Sequence, residues 1–344
     1  MKNINIAVDS GYGYALGKSK EKLIKLSNYI LKVDKSFAES IKDSISEIAE
    51  DKILVKYKDK YYAIGDLATR IDDSVNRYVS NNRVGDLFHT LEIITTLALT
   101  TNLKEFSVNL ILGLPNKLIH LDKALQEDIK SDYEIEFICA NESIKKKFSV
   151  KNTIVIPQPL APIFNLKSEG IVKYNLLSVD IGHGTLDSFV LRKGIRSMNK
   201  NLCVEGVNRC YTKLEEKLME KYREDFGIVS IENIRLQEGI EENTFSFKNQ
   251  KLDITDINKV VFGEYAEYVF HELENCYGDN LGKFDIKIGS GAIMSNAFFV
   301  NSLSNLLSQY KVTFKVLGNP QESIVNGMFN ILNSKFKEET INEG

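Results

Sequence analysis

Cysteine and histidine are scarce, four of each in 344 residues, and Cys139, Cys203, Cys210 and Cys276 form no CxxC pair. Such spacing offers neither a zinc-ligand set nor a disulfide framework, and it points to a reducing, cytoplasmic setting. No stretch approaches the roughly 18 uninterrupted apolar residues of a membrane span. The richest run, LEIITTLALT at 91–100, is short and has polar flanks. The opening MKNINIAVDSGYG lacks the run of about 7–15 apolar residues that a secretory signal carries. Charge of one sign is missing too: 44 Lys and Arg against 47 Asp and Glu leave −3, so no global field draws the chain to nucleic acid or anionic lipid. Two phosphate-binding signatures are absent. GxxxxGK[ST] does not occur, and no Gly-rich turn carries the third glycine of the dinucleotide fingerprint. What remains is 43% hydrophobic and 26% charged, the composition of a folded globular chain, with length for about two domains.

The apolar segment INIAVD (4–9), the turn SGYG and then YALG predict an opening β-hairpin, and ILVKY–KDK–YYAIG (53–65) predicts another. Between them Phe37, Ile41, Ile45 and Ile48 recur at helical spacing. Val84, Leu87, Leu91, Ile94 and Ala98 predict a helix over 84–101. FSVNLILGLP (106–115) follows as a strand stopped by Gly113 and Pro115, then a helix around 117–130 and strands near 134–139, 144–150 and 152–156. Three of the five prolines fall in PQPLAP (157–162), which reads as a crossing between two bodies. The second half restarts the first: NLLSVDIGHGTLDSFVL (175–191) is again strand, Gly-rich turn, strand. One unit used twice implies two related domains facing each other rather than a short-period array. Helices are predicted over 208–223 (Cys210, Leu214, Leu218 and Tyr222 in one stripe), 231–238, 256–276 and 296–308. Strands are predicted over 283–289 and 311–318, and Pro320 opens a last helix.

The chemistry concentrates in the turns. In Asp9-Ser10-Gly11-Tyr12-Gly13 the glycines let backbone N–H groups converge on an anion, and the strand-end carboxylate can face a divalent cation through its waters. Asp180-Ile181-Gly182-His183-Gly184-Thr185 repeats the arrangement and adds a hydroxyl suited to a phosphate oxygen; His183 reads as an incidental turn residue. Two matching hairpins can clamp a polyphosphate from opposite sides, with both Asp near one Mg²⁺. Gly289-Ser290-Gly291-Ala292 is a third strand-to-turn-to-helix element, able to hold a nucleoside or a phosphate.

The order of these elements resembles that of the actin-like ATPases, and most closely the ParM-type bacterial actins of plasmid segregation. LGLPNKLIHLDKAL (112–125), VIPQPLAPIFNL (155–166) and SIVNGMFNIL (323–332) carry the resemblance further. It implies an α/β actin-like fold of two related domains, each a β-sheet flanked by helices, with nucleotide in the cleft. Domain I would span 1–165 with a small insert at about 30–85, helix 320–336 packing back on it; domain II would span 166–319 with an insert at about 207–280. The resemblance places Asp9 and Asp180 on Mg²⁺ through water. Ser10, Gly11, Tyr12 and Gly13 would lie on the phosphates from one side, Gly182, His183, Gly184 and Thr185 from the other. Gln158 would orient the attacking water, positioning it rather than acting as a base. Gly289, Ser290 and Gly291 would border the adenosine, Glu205 and Gly206 would approach the ribose, and Arg235 and Glu238 would reach the base. One position departs: seven residues after Asp9, where relatives often carry Lys, stands Leu16, and Lys18 shares its face. The implied protein is a Mg²⁺-dependent hydrolase of ATP or GTP. It would polymerise head-to-tail and move plasmid DNA through a DNA-binding adaptor protein, with no membrane partner. A small-molecule kinase and a chaperone or reactivase ATPase of the same superfamily are the alternatives.

Overall fold

The computed structural model describes residues 1–78, 83–197, 201–226, 231, 233–247 and 250–336. The chain divides into two units, Met1–Leu166 with the segment beginning at Glu322, and Lys167–Gln321. Among the described residues no helix is long and apolar enough to cross a membrane.

The first unit is built on one nine-stranded sheet. Its strands are β1 (Lys2–Ser10), β2 (Tyr14–Lys18), β3 (Leu23–Ser27), β4 (Ile30–Val33), β5 (Ile53–Tyr57), β6 (Lys60–Ile64), β7 (Glu105–Leu114), β8 (Asp132–Phe137) and β9 (Ile144–Pro157), in the order β3-β2-β1-β7-β9-β8-β5-β6-β4. Helices α1 (Lys35–Ile41), α2 (Asp66–Ile71), α3 (Leu87–Leu99) and α4 (Asp122–Ile129) belong to it. β1, β7 and β9 run parallel at its centre. They are covered on both faces, which is why INIAV and VNLIL read as apolar runs rather than alternations. The exceptions are three asparagines in register: Asn109 donates to Asn5, and Asn152 donates to Asn109. Each side-chain amide satisfies the next, so the ladder crosses the core without an orphaned polar group.

The second unit follows the same plan on a smaller scale. Its elements are α5 (Ser168–Lys173), β10 (Asn175–Ile181), β11 (Thr185–Arg192), β12 (Ile195–Arg196), β13 (Cys203–Glu205), α6 (Asn208–Phe226), α7 (Asn233–Glu242), β14 (Thr244–Phe247), β15 (Gln250–Asp253), α8 (Thr255–Tyr277), β16 (Ile286–Ser290), α9 (Ala297–Leu307) and β17 (Lys315–Val316). The sheet order is β12-β11-β10-β16-β17, with β13 on β11, and β14 and β15 form a separate hairpin. An antiparallel hairpin beside two parallel strands thus recurs: β2-β1-β7-β9 in the first unit, β11-β10-β16-β17 in the second. The stripe Cys210, Leu214 and Leu218 of α6 is buried against α8 and the sheet.

The last helix, α10 (Ser323–Lys335), returns to the first unit and packs Ile324, Val325, Met328 and Leu332 on Ala7, Leu16, Ile111 and Ala161. Gly327 makes the crossing possible: a methyl group there would lie 1.9 Å from Ala161 O.

Several expected elements differ. The strands at 144–150 and 152–156 are one, β9. A bulge absorbs Lys151, because Val108 pairs with Val150 but Asn109 pairs with Asn152. The Phe37–Ile48 stripe outruns its helix: α1 stops at Ile41, a 3₁₀ turn covers Lys42–Ser44, and Phe37 is exposed while Ala38 and Ile45 are buried. The helix around 117–130 begins as a 3₁₀ turn over Asn116–Leu121 before α4. The strand at 311–318 shrinks to β17, since Lys311 adopts left-handed backbone (φ 53°) at its start.

Candidate functional site

The first loop follows from β1. The strand ends at Asp9 and Ser10, and β2 returns beside it with Asp9 opposite Leu16 and Ser10 opposite Ala15. Gly11 N–H closes the turn on Tyr14 O at 3.0 Å. A methyl group on Gly11 would sit 2.9 Å from that oxygen, so close approach, not left-handed backbone, selects glycine here. The loop's carbonyls are held from one side. Gly13 O accepts from Asn28 N (3.1 Å) and Arg77 Nη1 (2.8 Å). Gly11 O accepts from Asn28 Nδ2 (3.0 Å), and Ser10 O from Arg83 Nη1. In a trans peptide the N–H points opposite to its C=O. The N–H of Tyr12 therefore faces away from these supports.

A second layer fixes Ser10. His89 Nδ1 lies 2.9 Å from Arg83 O, a pure acceptor, so Nδ1 carries the proton and Nε2 accepts. The Ser10 hydroxyl donates to that Nε2 (3.0 Å) and accepts from Arg83 Nη1 (2.9 Å). Burial, reinforced by Arg83, pulls His89 down to about 3, which keeps the ring neutral. Ser10 thus presents its backbone to the loop, while its hydroxyl is taken up behind. Nothing in the local sequence singles out Arg77, Arg83, His89 or Asn28. They come from separate segments, and no local motif joins them to the loop.

Asp9 is buried, and burial pushes its carboxyl up to about 6, opposed by a hydrogen bond from Gln158 and by the Arg83 charge. Gln158 opens a 3₁₀ turn directly after β9, and its Nε2 donates to Asp9 Oδ1 at 2.6 Å. Gly113, expected as a strand stop, lies within β7 and makes room for this pair. A methyl group there would lie 2.8 Å from Gln158 Cγ and 3.2 Å from Asp9 Oδ1. Leu16 is buried in the core under α10. Lys18 does share its face, but its Nζ donates to Asn326 on α10 and lies over the Phe329 ring at 5.8 Å. It is engaged two cross-strand pairs farther from the turn than Leu16, opposite Ala7.

The second loop uses backbone where the first uses side chains. Gly182 N–H closes on Thr185 O at 2.9 Å. The carbonyls of Gly182, His183 and Gly184 accept from the N–H groups of Val207 (2.9 Å), Asn208 (2.8 Å) and Gly206 (3.2 Å) at the start of α6. The N–H groups of His183, Gly184 and Thr185 belong to those same peptides and point the other way. Gly206, expected near a ribose, is packed against the loop: a methyl group there would lie 2.3 Å from Gly182 O and 2.6 Å from Thr185 N. Thr185 is buried opposite Glu205, and the His183 ring rests 5.0 Å from the Tyr211 ring.

Asp180, at the end of β10, accepts from the Ser290 hydroxyl at 2.9 Å, so the third turn grips the second loop's carboxylate. Gly291 has φ 96°, and a methyl group on it would fall 2.1 Å from Ile181 O. The turn leads into a 3₁₀ segment, Ala292–Ser295, and α9 starts later behind its Asn296 cap. No α-helix N-terminus therefore opens directly at Gly289–Gly291, contrary to the strand-to-helix reading. Glu205 forms an exposed ion pair with Arg209 (3.0 Å). Arg235 is folded onto the β14–β15 hairpin, donating to Ser246 O with its guanidinium 4.9 Å from the Phe245 ring centre. The Glu238 side chain lies outside the described residues.

Comparison with known proteins agrees with this layout. Residues 7–160 match the family described as the actin-like proteins N-terminal domain, and residues 175–309 match the Alp7A C-terminal domain. No curated protein matches the chain significantly. Among solved structures, a 15-stranded ParM filament from Clostridium botulinum superposes with TM-score 0.78 at 20% identity, covering 98% of this chain and 100% of that one. Alp7A superposes with TM-score 0.74 at 17% identity, over 97% of each chain. The archaeal actin homolog Ta0583, in complex with ADP, superposes with TM-score 0.74 at 12% identity, over 96% of this chain and 99% of that one. Two matched family domains in sequence order, together spanning most of the chain, place it in the actin-like protein family, and the solved structures show the same fold over nearly its whole length.

Proposed function

We propose that the chain is a nucleoside-triphosphate hydrolase, acting on ATP or GTP, whose head-to-tail filament segregates plasmid DNA through a DNA-binding adaptor. The observation that carries this reading is the pair of strand-end loops. In each, a buried aspartate precedes a glycine turn whose carbonyls are tied back, which leaves the N–H of Tyr12 in the first loop and those of His183, Gly184 and Thr185 in the second facing away from the supports, as an anion site requires. A ParM filament and an ADP-bound homolog among the similar structures support assembly and nucleotide binding.

A divalent cation fits the same residues. Asp9 is a carboxylate whose burial is only partly compensated, a condition a cation relieves. Mg²⁺ keeps several of its waters and leans on phosphate oxygens, so one or two carboxylates are the protein's share of such a site. Asp9 and Asp180 would hold it through water, and when bound it supplies charge neutralisation on the phosphates. Gln158 has a defined part. Its Nε2 is committed to Asp9, which leaves Oε1 to accept a hydrogen bond from the attacking water. A neutral amide cannot take the proton, so Gln158 orients and does not act as base. Loss of the terminal phosphate would then remove the contacts that favour the assembling conformation.

Light scattering on adding Mg-ATP or Mg-GTP tests the reading. A rise that decays as phosphate appears is expected. Phosphate transfer to a small molecule without scattering would favour a kinase and sink the filament.

A further inference from the structure

A polyphosphate concentrates negative charge, and the first loop must meet its share with cations. The position opposite Asp9 is the buried Leu16, and Lys18 is engaged by Asn326. Three other cations lie against the loop itself, of which Arg77 is buried and spent on Gly13 O. The Arg83 guanidinium is 4.8 Å from the centre of the Tyr12 ring, and Lys117 Nζ is 6.0 Å from it. Arg83 is buried and spent on Ser10. Lys117 is exposed, and among the described residues its ammonium has no hydrogen-bond or ion-pair partner. It stands two residues after Pro115, just past the end of β7, the parallel neighbour of β1. Loops at the carboxyl ends of adjacent parallel strands line one crevice. A second observation points to a ligand at the same place. Tyr12 is 6% exposed, yet its hydroxyl has no partner among the described residues. A buried phenol normally finds one.

We infer that Lys117 and the Tyr12 hydroxyl form the polar pair that contacts the phosphates in the first unit, with Lys117 supplying the charge that neither Leu16 nor Lys18 brings to the turn. The flexible four-carbon stem of Lys117 carries its ammonium from solvent onto the anion, and Arg83 keeps the loop under it. This rests on the nucleotide reading above and names which residues of this chain execute it.

The test is calorimetric titration of the full chain with Mg-ATP, Mg-GTP and adenosine, at protein concentrations where light scattering stays at baseline. Lys117→Gln is expected to weaken triphosphate binding about tenfold, the scale of one charge-assisted contact, and to leave adenosine binding unchanged. Lys117→Arg should restore most of the loss. Tyr12→Phe should weaken triphosphate binding several-fold without lowering the thermal midpoint. Because Lys117 is exposed, its variant folds. Triphosphate binding by Lys117→Gln equal to wild type overturns the inference, and so does an equal loss for adenosine. A wild-type chain that binds neither triphosphate overturns the nucleotide reading, and this inference with it.

Discussion

Replacing Gly206 by Ala tests whether the start of α6 holds the second loop in shape. The added methyl group would lie 2.3 Å from Gly182 O and 2.6 Å from Thr185 N, both well inside 3.0 Å, the limit that real Cβ contacts respect. Gly206 does not occupy left-handed backbone, so Ala brings no conformational penalty and the effect is steric alone. Neither neighbour is a flexible side-chain end that could swing aside; both are backbone. Loop and helix start must therefore separate by the better part of an ångström. The three hydrogen bonds between them, at 2.8, 2.9 and 3.2 Å, are then stretched or lost. At about 1 kcal/mol net for each bond, the expected cost is about 1–3 kcal/mol in nucleotide affinity, or roughly 5- to 150-fold in Kd. Gly263 is the control. It lies inside α8 with nothing within 4 Å of an added methyl group, and Ala there should be neutral or stabilise by up to about 1 kcal/mol. Titration with a fluorescent nucleotide and a thermal melt read both variants. Wild-type affinity together with an unshifted melt in Gly206→Ala would refute the claim that this contact shapes the loop.

Three further outcomes follow from the same geometry. Asp180→Ala should abolish turnover in a phosphate-release assay, because it removes the buried carboxylate that Ser290 holds at the strand end; measurable turnover would exclude Asp180 from the mechanism. Gln158→Ala should slow hydrolysis and leave binding and assembly intact, giving longer-lived polymers by light scattering; normal turnover would remove Gln158 from water positioning. Glu92 is buried, and burial pushes its carboxyl from about 4.5 up to about 8, opposed by the Arg83 charge. A raised folded-state value means that its contribution to stability is fully present below about pH 4.5 and is lost as the pH rises through 8. Wild type should therefore lose stability relative to Glu92→Gln by up to about 1.4 kcal/mol per pH unit between those limits. Denaturation curves with the same pH dependence in both proteins would contradict it.

Wherever one short segment contained its own cause, the residues were legible. The apolar strands ending in Asp9 and Asp180 and the glycine turns after them could be read directly, and their repetition announced a fold used twice. The α6 stripe of Cys210, Leu214 and Leu218 could be read for the same reason. What escaped was produced by distant partners. Strand alternation puts Lys18 on the face of Leu16, but only α10, more than 300 residues later, shows that Asn326 and Phe329 occupy it. Gly113 looked like a stop signal because its tertiary neighbours, Asp9 and Gln158, are invisible to a local window. Arg235 looked available for a base until β14 and β15 supplied the aromatic surface it covers.

The two loops reach the same shape by supports of different kind, and their tolerance to substitution should differ accordingly. The second loop is held by main-chain N–H groups, which every residue except proline carries, so side-chain identity at 207 and 208 matters little there and only Gly206 is sterically constrained. Among the described residues no helix-start N–H holds the first loop's carbonyls. They are held largely by the side chains of Asn28, Arg77 and Arg83, and Arg83 is itself steadied through Ser10 and His89. Each of these donors is specified by residue identity, and each sits where water cannot replace it. Truncating Asn28 removes the side-chain donor that holds the Gly11 carbonyl, at about 1–3 kcal/mol, whereas Gly13 O keeps the Asn28 N–H when Arg77 is lost. A neutral His89 is part of this arrangement, because an imidazolium would place a second cation against Arg83 and would take away the acceptor that Ser10 needs. The repeated Asp-x-Gly-x-Gly pattern therefore records what the two loops have in common, while the residues that make the first one dependable lie outside the repeat.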